Sequence, residues 1–413
     1  MKSHIIPWAL LLVSLLPVTS LAKNIRITIT NPSDHERKEV VEIPLQTIRE
    51  KMGEGAFVVT DAKKNEVVSQ TTHDGLLLIE AQVPAGGKQK FTIRQGTPKS
   101  YEPAVFVKMY AQRLDDIAWE NDHIAFRTYG PTLQNTGERA FGIDVWTKNT
   151  SALVVEQRYE MELNPAHKRE VYELWKKDPA AADKLVEKYS YHYDHGNGMD
   201  CYKVGPTLGC GTPALIGTDG ELIYPWGYKT YQILEEGPLR VQFSTTYKPR
   251  KNGLLGTTTE ERTITLDKHS RLNRLSVSYQ GLEQPTRIAG GIIIHKEDTL
   301  SYHIDTTLGY LSYSDPTDNV NAGNGRIFVG LVASQTSVQL ELRPFTKSES
   351  RKARGGDYGH LLALHAATPA VPTASYYAGA TWSKEQIHSQ EEWNAYLAQF
   401  ARDLRQPLQV EIK

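Results

Sequence analysis

Cysteine is nearly absent: Cys201 and Cys210 are the two thiols in 413 residues. That excludes a disulfide-stapled scaffold and a four-ligand cysteine zinc ribbon. It leaves two readings of the pair open, one bridge or two small buried thiols. Net charge is almost absent as well. Lys and Arg number 47 and Asp and Glu 48, for a formal charge of −1 at pH 7, so no global field draws the chain to nucleic acid. A local basic pocket for a small anion is still permitted. The phosphate-cradling GxxxxGK[ST], the dinucleotide GxGxxG and the GxSxG nucleophile elbow are all missing. After the first two dozen residues no apolar run is long enough to span a membrane.

What is present begins with MKSHIIPWALLLVSLLPVTSLAKN. Lys2, the apolar run Ile5 to Leu16 and the small-x-small exit Ser20-Leu21-Ala22 follow the three-part order of a secretory signal peptide. Residues 1–22 are therefore expected to be removed, leaving a periplasmic or secreted protein. A chain of this length exceeds one ordinary core, which predicts two domains or very large sheets.

Residues 23–100 read as a small β-sandwich. "IRITITN" and "KFTIRQG" alternate apolar and polar residues, and "LLLIEAQVPAGGKQKFTI" reads as two strands around a Gly-Gly turn. "QGTPKSYEP" has linker composition. Residues 101–413 carry many short strand candidates, among them "HIAFRTY", "ERTITLD" and "GGIIIH". They predict a sandwich or a pair of curved sheets. A helical insertion is expected over 164–189, with Asn164 as N-cap and a break at Asp178-Pro179. A C-terminal helix is expected over 389–404, opened by Ser389 and Glu392 as a capping box, and "PLQVEI" can form a closing strand.

Two stretches could carry chemistry. In "RLDDIAWENDHIAFRTYGP" strand alternation puts His123, Ala125, Arg127 and Tyr129 on one face. A base, a cation and a phenol together suit a sugar-acid pocket, with Arg113, Trp119, Glu120 and Asn121 nearby. In "YHYDHGNGMDCY" His192, Asp194, His195 and Tyr202 surround a Gly196-Asn197-Gly198 hinge. This reads as a catalytic or substrate-binding loop. The alternatives are a polar turn and a divalent metal near His192, Asp194 and His195, with Asp200 as a fourth donor. His295 ends "GGIIIH" at a strand end, where sites are built. Tyr377 in "YYAGATWS" could stack on a sugar ring, whereas His365 in "GHLLALHA" reads as core.

The ordered set "RLDDIAWENDHIAFRTYGP", "GIDVWTK", "YHYDHGNGMDCYKVGPTLGCG", "GPLRVQF" and "YYAGATWS" resembles a bacterial family long labelled domain of unknown function 4861. The resemblance runs from about residue 24 to the C-terminus. It implies a mainly β architecture, with a large sugar-binding supersandwich of the galactose mutarotase-like kind behind the smaller sandwich. The family occurs in polysaccharide-degradation systems of Bacteroidetes-type bacteria. One member type acts as a dehydratase on ulvan oligosaccharides, eliminating water from a non-reducing-end uronic acid to leave a 4,5-unsaturated uronyl end. The implied partner is a uronic-acid-containing oligosaccharide, with no cofactor. β-Elimination needs a base for the C5 proton, a clamp for the carboxylate and an acid for the departing 4-hydroxyl. The candidates are His123 or His195 as base, Arg127 or Arg113 as clamp, and Tyr129 or Tyr202 as acid. Two other classes remain: a glycoside hydrolase or epimerase using Glu120 or Asp122, and a carbohydrate-binding protein without catalysis.

Overall fold

The computed structural model describes residues 24–413 except 320, 336, 348 and 350–356. The leader read at residues 1–22 lies outside the described residues. The first unit is a β-sandwich. One antiparallel sheet runs in the order Gln409–Ile412, Ile25–Thr30, Lys88–Gln95, Phe57–Asp61, and the other in the order Arg37–Pro44, Leu76–Val83, Ser69–Thr71. In Ile25–Thr30 the alternation works as the sequence predicts, with Ile25, Ile27 and Ile29 buried against Ile43, Leu77, Ile79 and Phe91. The Gly-Gly turn joins two strands, but they lie in opposite sheets, so the turn crosses the sandwich rather than closing a ladder. The closing strand Gln409–Ile412 completes this first sheet, pairing Ile27 with Ile412 and Ile29 with Val410.

The larger unit is the supersandwich. A nine-stranded antiparallel sheet faces a five-stranded one made of Leu222–Ile223, Cys210–Ile216, Thr286–His295, Asp357–Ala367 and Gln339–Pro344. Phe243, Ile264, Leu275, Ile292, Leu361 and Tyr376 fill the space between them. The paired glycines of "GGIIIH" have a packing cause. A Cβ on Gly290 would sit 2.8 Å from the Tyr376 ring, and one on Gly291 would sit 2.3 Å from Leu208. His365 is buried, and burial lowers its pKa to about 4, as expected of a neutral core imidazole. Cys201 and Cys210 are both buried and free, which settles the open choice in favour of two thiols.

A third sheet positions the site. Phe106–Tyr110, Asp116–Glu120, Ala125–Thr128 and Asp144–Trp146 form an antiparallel four-stranded meander. One face, with Ile117, Trp119, Phe126 and Val145, joins the main core. The other is covered by a helical insertion that starts earlier than the sequence suggests. Its helices are Val155–Leu163, Pro165–Trp175 and Pro179–Tyr189. Asn164 and Asp178 cap the second and third through the Ala166 and Ala181 amides. The first helix has no local side-chain cap. Instead Glu120 Oε1 accepts from the Val154 and Val155 amides at 2.8 and 2.7 Å. A cap from a strand more than thirty residues away leaves no local signature, which is why this helix is hidden in the sequence.

The C-terminal helix spans Gln390–Arg405, with Ser389 accepting from the Glu392 amide at 3.2 Å. Trp393, Leu397 and Ala401 bury its apolar stripe against Leu272, Phe328 and Val332. Gly330 leaves room for the Trp393 ring, which a Cβ would approach to 2.9 Å. Trp393→Ala is expected to cost about 3–5 kcal/mol of stability, measured by denaturant unfolding followed by circular dichroism.

Candidate functional site

The covered face of the meander holds a cage of charge. Asp116, Arg127 and Asp144 come from three neighbouring strands, with Asp144 directly opposite Arg127 in the register. Asp200 reaches the same point from the loop after the insertion. Arg127 Nη2 lies 2.6 Å from Asp144 Oδ2 and 2.9 Å from Asp200 Oδ2, and its Nε lies 3.9 Å from Asp116 Oδ2. The guanidinium also donates to the Tyr129 and Tyr191 hydroxyls and lies 5.0 Å from the Trp146 ring centroid. Burial opposes the charge of Arg127, but Tyr129, Asp144 and Asp200 more than offset that and hold its pKa above the ordinary value. Three carboxylates around one cation cannot all be fully compensated. Burial, against the pull of Arg127 and Arg113, pushes Asp116 up to about 6. Burial and the neighbouring Asp200 push Asp144 up as well.

The loop 190–202 forms the rim of this cage. Gly198 sits at φ 98°, and a Cβ there would come within 2.1 Å of the Thr147 carbonyl oxygen, so the loop is pressed onto the meander. Asp194 Oδ1 accepts from the Gly196 and Gly198 amides. His195 Nε2 is 3.0 Å from the Ser190 carbonyl oxygen. His192 Nδ1 is 3.0 Å from the Asp200 carbonyl oxygen and 3.6 Å from its Oδ2, while about half of its side chain is open to solvent. Arg113 donates from Nε to the hydroxyl of Tyr191, the residue before His192, at 3.2 Å and keeps 23 % of its side chain exposed. Tyr129 is 9 % exposed, and burial raises its pKa so that it keeps its proton.

Several residues singled out in the sequence are committed elsewhere. The strand begins at Ala125 rather than His123. Asn121 Oδ1 accepts from the His123 and Ile124 amides, and this turn swings the imidazole away from Arg127 to Glu385, 3.1 Å distant. Arg127 is saturated by the protein's own carboxylates, so it is not a free clamp. Trp119 is core, its indole donating to Asn273 at 2.7 Å. Glu120 pairs with Lys148 at 2.6 Å besides capping the first insertion helix. Asn121 also donates to the Asp267 and Ser270 carbonyl oxygens. Tyr377 packs edge-on against Phe400 under the C-terminal helix. Tyr202 is buried beside the main core with its hydroxyl unpartnered. His192, Asp194 and His195 turn towards separate backbone partners rather than towards one point. Asp200, a candidate metal donor by sequence, instead pairs with Arg127, and Asp144 is the member of the cage that the sequence does not single out, although it alternates with the buried Trp146 in "GIDVWTK".

His295 occupies a second buried charge site. Its Nδ1 lies 2.9 Å from Asp357, and its Nε2 lies 3.2 Å from Asp315 Oδ2. The second contact is ionic: among the described residues neither Nε2 nor Oδ2 has an aligned hydrogen-bond partner. Burial works against protonation, but Asp315 and Asp357 overcome it and raise the pKa to about 9.

This geometry belongs to a known sequence group. The chain matches the family described as domain of unknown function DUF4861 over residues 29–410. It belongs to that family. A relative from Formosa agariphila, called Uncharacterized protein P7, is 25 % identical over 409 residues, covering 94 % of this chain and 93 % of its own. Among solved structures, an alpha-mannosidase from Enterococcus faecalis V583 superposes with a TM-score of 0.50 at 10 % identity, over 94 % of this chain and 46 % of that one. A glycosyl hydrolase family 38 protein from Enterococcus faecalis gives a TM-score of 0.48 at 10 % identity, over 94 % and 47 %. The chain thus spans about half the length of the solved structures it matches. At such identity the first likeness speaks for the fold, the supersandwich.

Two outcomes follow from the buried charges. Arg127→Met leaves the carboxylates of the cage without their cation and is expected to cost about 3–5 kcal/mol at pH 7. The loss should shrink towards pH 5, because neutral carboxyl groups need no counter-charge. Chemical denaturation at both pH values measures it. His295 has a folded pKa of about 9, above its unfolded value. Its contribution is therefore full below about pH 6.5 and is lost as pH rises through about 9, on the order of 3 kcal/mol in all. His295→Gln should flatten that part of the stability profile.

Proposed function

We propose that this protein is an exported carbohydrate-active enzyme, periplasmic or secreted, that eliminates water from a non-reducing-end uronic acid of an oligosaccharide such as an ulvan fragment. The observation that carries the reading is the series Arg127–Asp200–His192, which runs from the buried cage to the half-exposed rim. Arg127 fixes Asp200, and Asp200 holds the Nδ1 edge of His192, leaving its Nε2 edge for the substrate. His192 is thus the base in place of His123 and His195. Arg113, less enclosed than Arg127, is the carboxylate clamp, and Tyr129 is the acid. Arg127 and Asp200 are positioning residues.

The chemistry balances on these groups. His192 takes the C5 proton, which the adjacent carboxylate acidifies. The C5–H electron pair becomes the C4=C5 double bond as the C4–O bond breaks. Tyr129 supplies the proton that turns the departing hydroxide into water, and Arg113 neutralises the charge that grows on the carboxylate. The product carries a conjugated alkene and has lost one water.

Incubation with uronic-acid-ended oligosaccharides is expected to raise ultraviolet absorbance with a mass loss of one water. His192→Ala should lower kcat by about 100- to 10,000-fold, and Arg113→Ala should both raise KM and lower kcat, with both variants folded by circular dichroism. Full activity in His192→Ala would remove this mechanism. Cleavage without absorbance would identify a hydrolase instead, and binding with neither change a carbohydrate-binding protein.

A further inference from the structure

One cluster of chemistry-bearing side chains is untouched by the reaction above. A cavity of about 660 Å³ opens between the first sandwich and the supersandwich, lined among others by Lys38, Asp122, His123, His269, Lys384 and Glu385. Within it, one donor atom from each of Asp122, His123 and His269 lies within 4.8 Å of the other two. Asp122 Oδ2 is 2.8 Å from His269 Nδ1 and 4.0 Å from His123 Nε2. Two ligands on one tetrahedral zinc ion, each about 2 Å from it, sit roughly 3.3 Å apart. The two observed separations bracket that value.

The backing of these residues is more specific than their proximity. His123 presents Nε2 to the group while its Nδ1 lies 3.1 Å from Glu385 Oε1. His269 presents Nδ1 while its Nε2 lies 2.9 Å from Glu80 Oε1. A carboxylate on the far nitrogen is the partner that a metal-bound imidazole needs, so each ring can give its near nitrogen to an ion while its far N–H stays satisfied. Both carboxylates are anchored in turn: Arg271 donates to Glu385 Oε2 and Lys268 to Glu80 Oε2, each at 2.7 Å. Asp122 Oδ1 accepts from the His269 amide at 2.8 Å, which leaves Oδ2 on the side of the rings. Two imidazole nitrogens and one carboxylate oxygen, each ring backed by a carboxylate, are the donor set of a zinc site with one open position.

We propose that Asp122, His123 and His269 bind one divalent transition-metal ion of the zinc class, with Glu80 and Glu385 orienting the two rings. Glu80 belongs to the first sandwich and the three ligands to the larger unit, so the ion stiffens the junction between them. The cavity supplies the approach and the open position.

The test uses the full chain, stripped with a chelator. Zinc is titrated against a competing chromophoric chelator, and cobalt(II) is followed by its visible absorption. One equivalent should bind with a Kd below about 1 μM, and zinc should raise the melting temperature. His123→Ala and His269→Ala should each weaken binding on the order of 100-fold or more, and Glu385→Gln, which keeps both ligand rings, by about 10- to 100-fold. His195→Ala should bind as the natural chain does. The proposal is overturned if the natural chain takes up no equivalent, if His195→Ala abolishes binding, or if Glu385→Gln binds undiminished. Metal binding is read directly, so this result is independent of whether dehydration is observed.

Discussion

The arrangement around the rim depends on one guanidinium. Among the described residues Arg127 is the one cation shared by Asp116, Asp144 and Asp200, in a place almost without solvent. Each carboxylate there needs compensation, and Arg127 with the more exposed Arg113 beside Asp116 does not fully supply three. The strain shows as carboxylate pKa values pushed upward rather than downward. What the arrangement achieves is position. Two strands and a long loop are tied to one atom group, and the loop carries His192 to the surface at a fixed angle.

The surroundings of this cage are built to exclude water. Tyr110, Trp146, Tyr159 and Tyr191 form an aromatic layer over the meander, with Tyr110 and Tyr159 stacked at 3.9 Å. Tyr159 belongs to the first insertion helix, and that helix is held by Glu120 rather than by its own sequence. Glu120 is balanced by Lys148, which also donates to the Asn121 carbonyl oxygen. The meander therefore orders the very helix that covers it. Removing water from the cage strengthens every charge contact within it.

Much of the fold is legible in the sequence because it rests on local signals. The alternation of "IRITIT", the Asn164 and Asp178 caps and the Ser389 cap all operate within a few residues, and the structure carries each of them. The site is less legible because it rests on contacts between distant segments. Parity correctly puts Arg127 on the face away from the main core, but it cannot show that three aspartates already occupy its guanidinium. It also misplaces His123, because the Asn121 turn breaks the strand pattern one step before it begins. Glu120, Asn121 and Trp119 attracted a functional reading by residue type, yet each is consumed by an internal partner. In the loop 191–202, the contact of His192 with Asp200 emerges only when Arg127 is brought beside Asp200.

The pairing of Gln409–Ile412 with Ile25–Thr30 has a consequence for how the molecule comes into being. A sheet that contains Ile25–Thr30 is finished by Gln409–Ile412, after the whole larger unit has intervened in the sequence. A nascent chain can assemble the other strands of the first sandwich early, yet the edge of Ile25–Thr30 stays unpaired until Gln409–Ile412 has been made. The small sandwich is thus begun before the larger unit and sealed after it. A chain cut short anywhere upstream leaves a bare strand edge exposed, which marks it for association with other chains or for proteolysis.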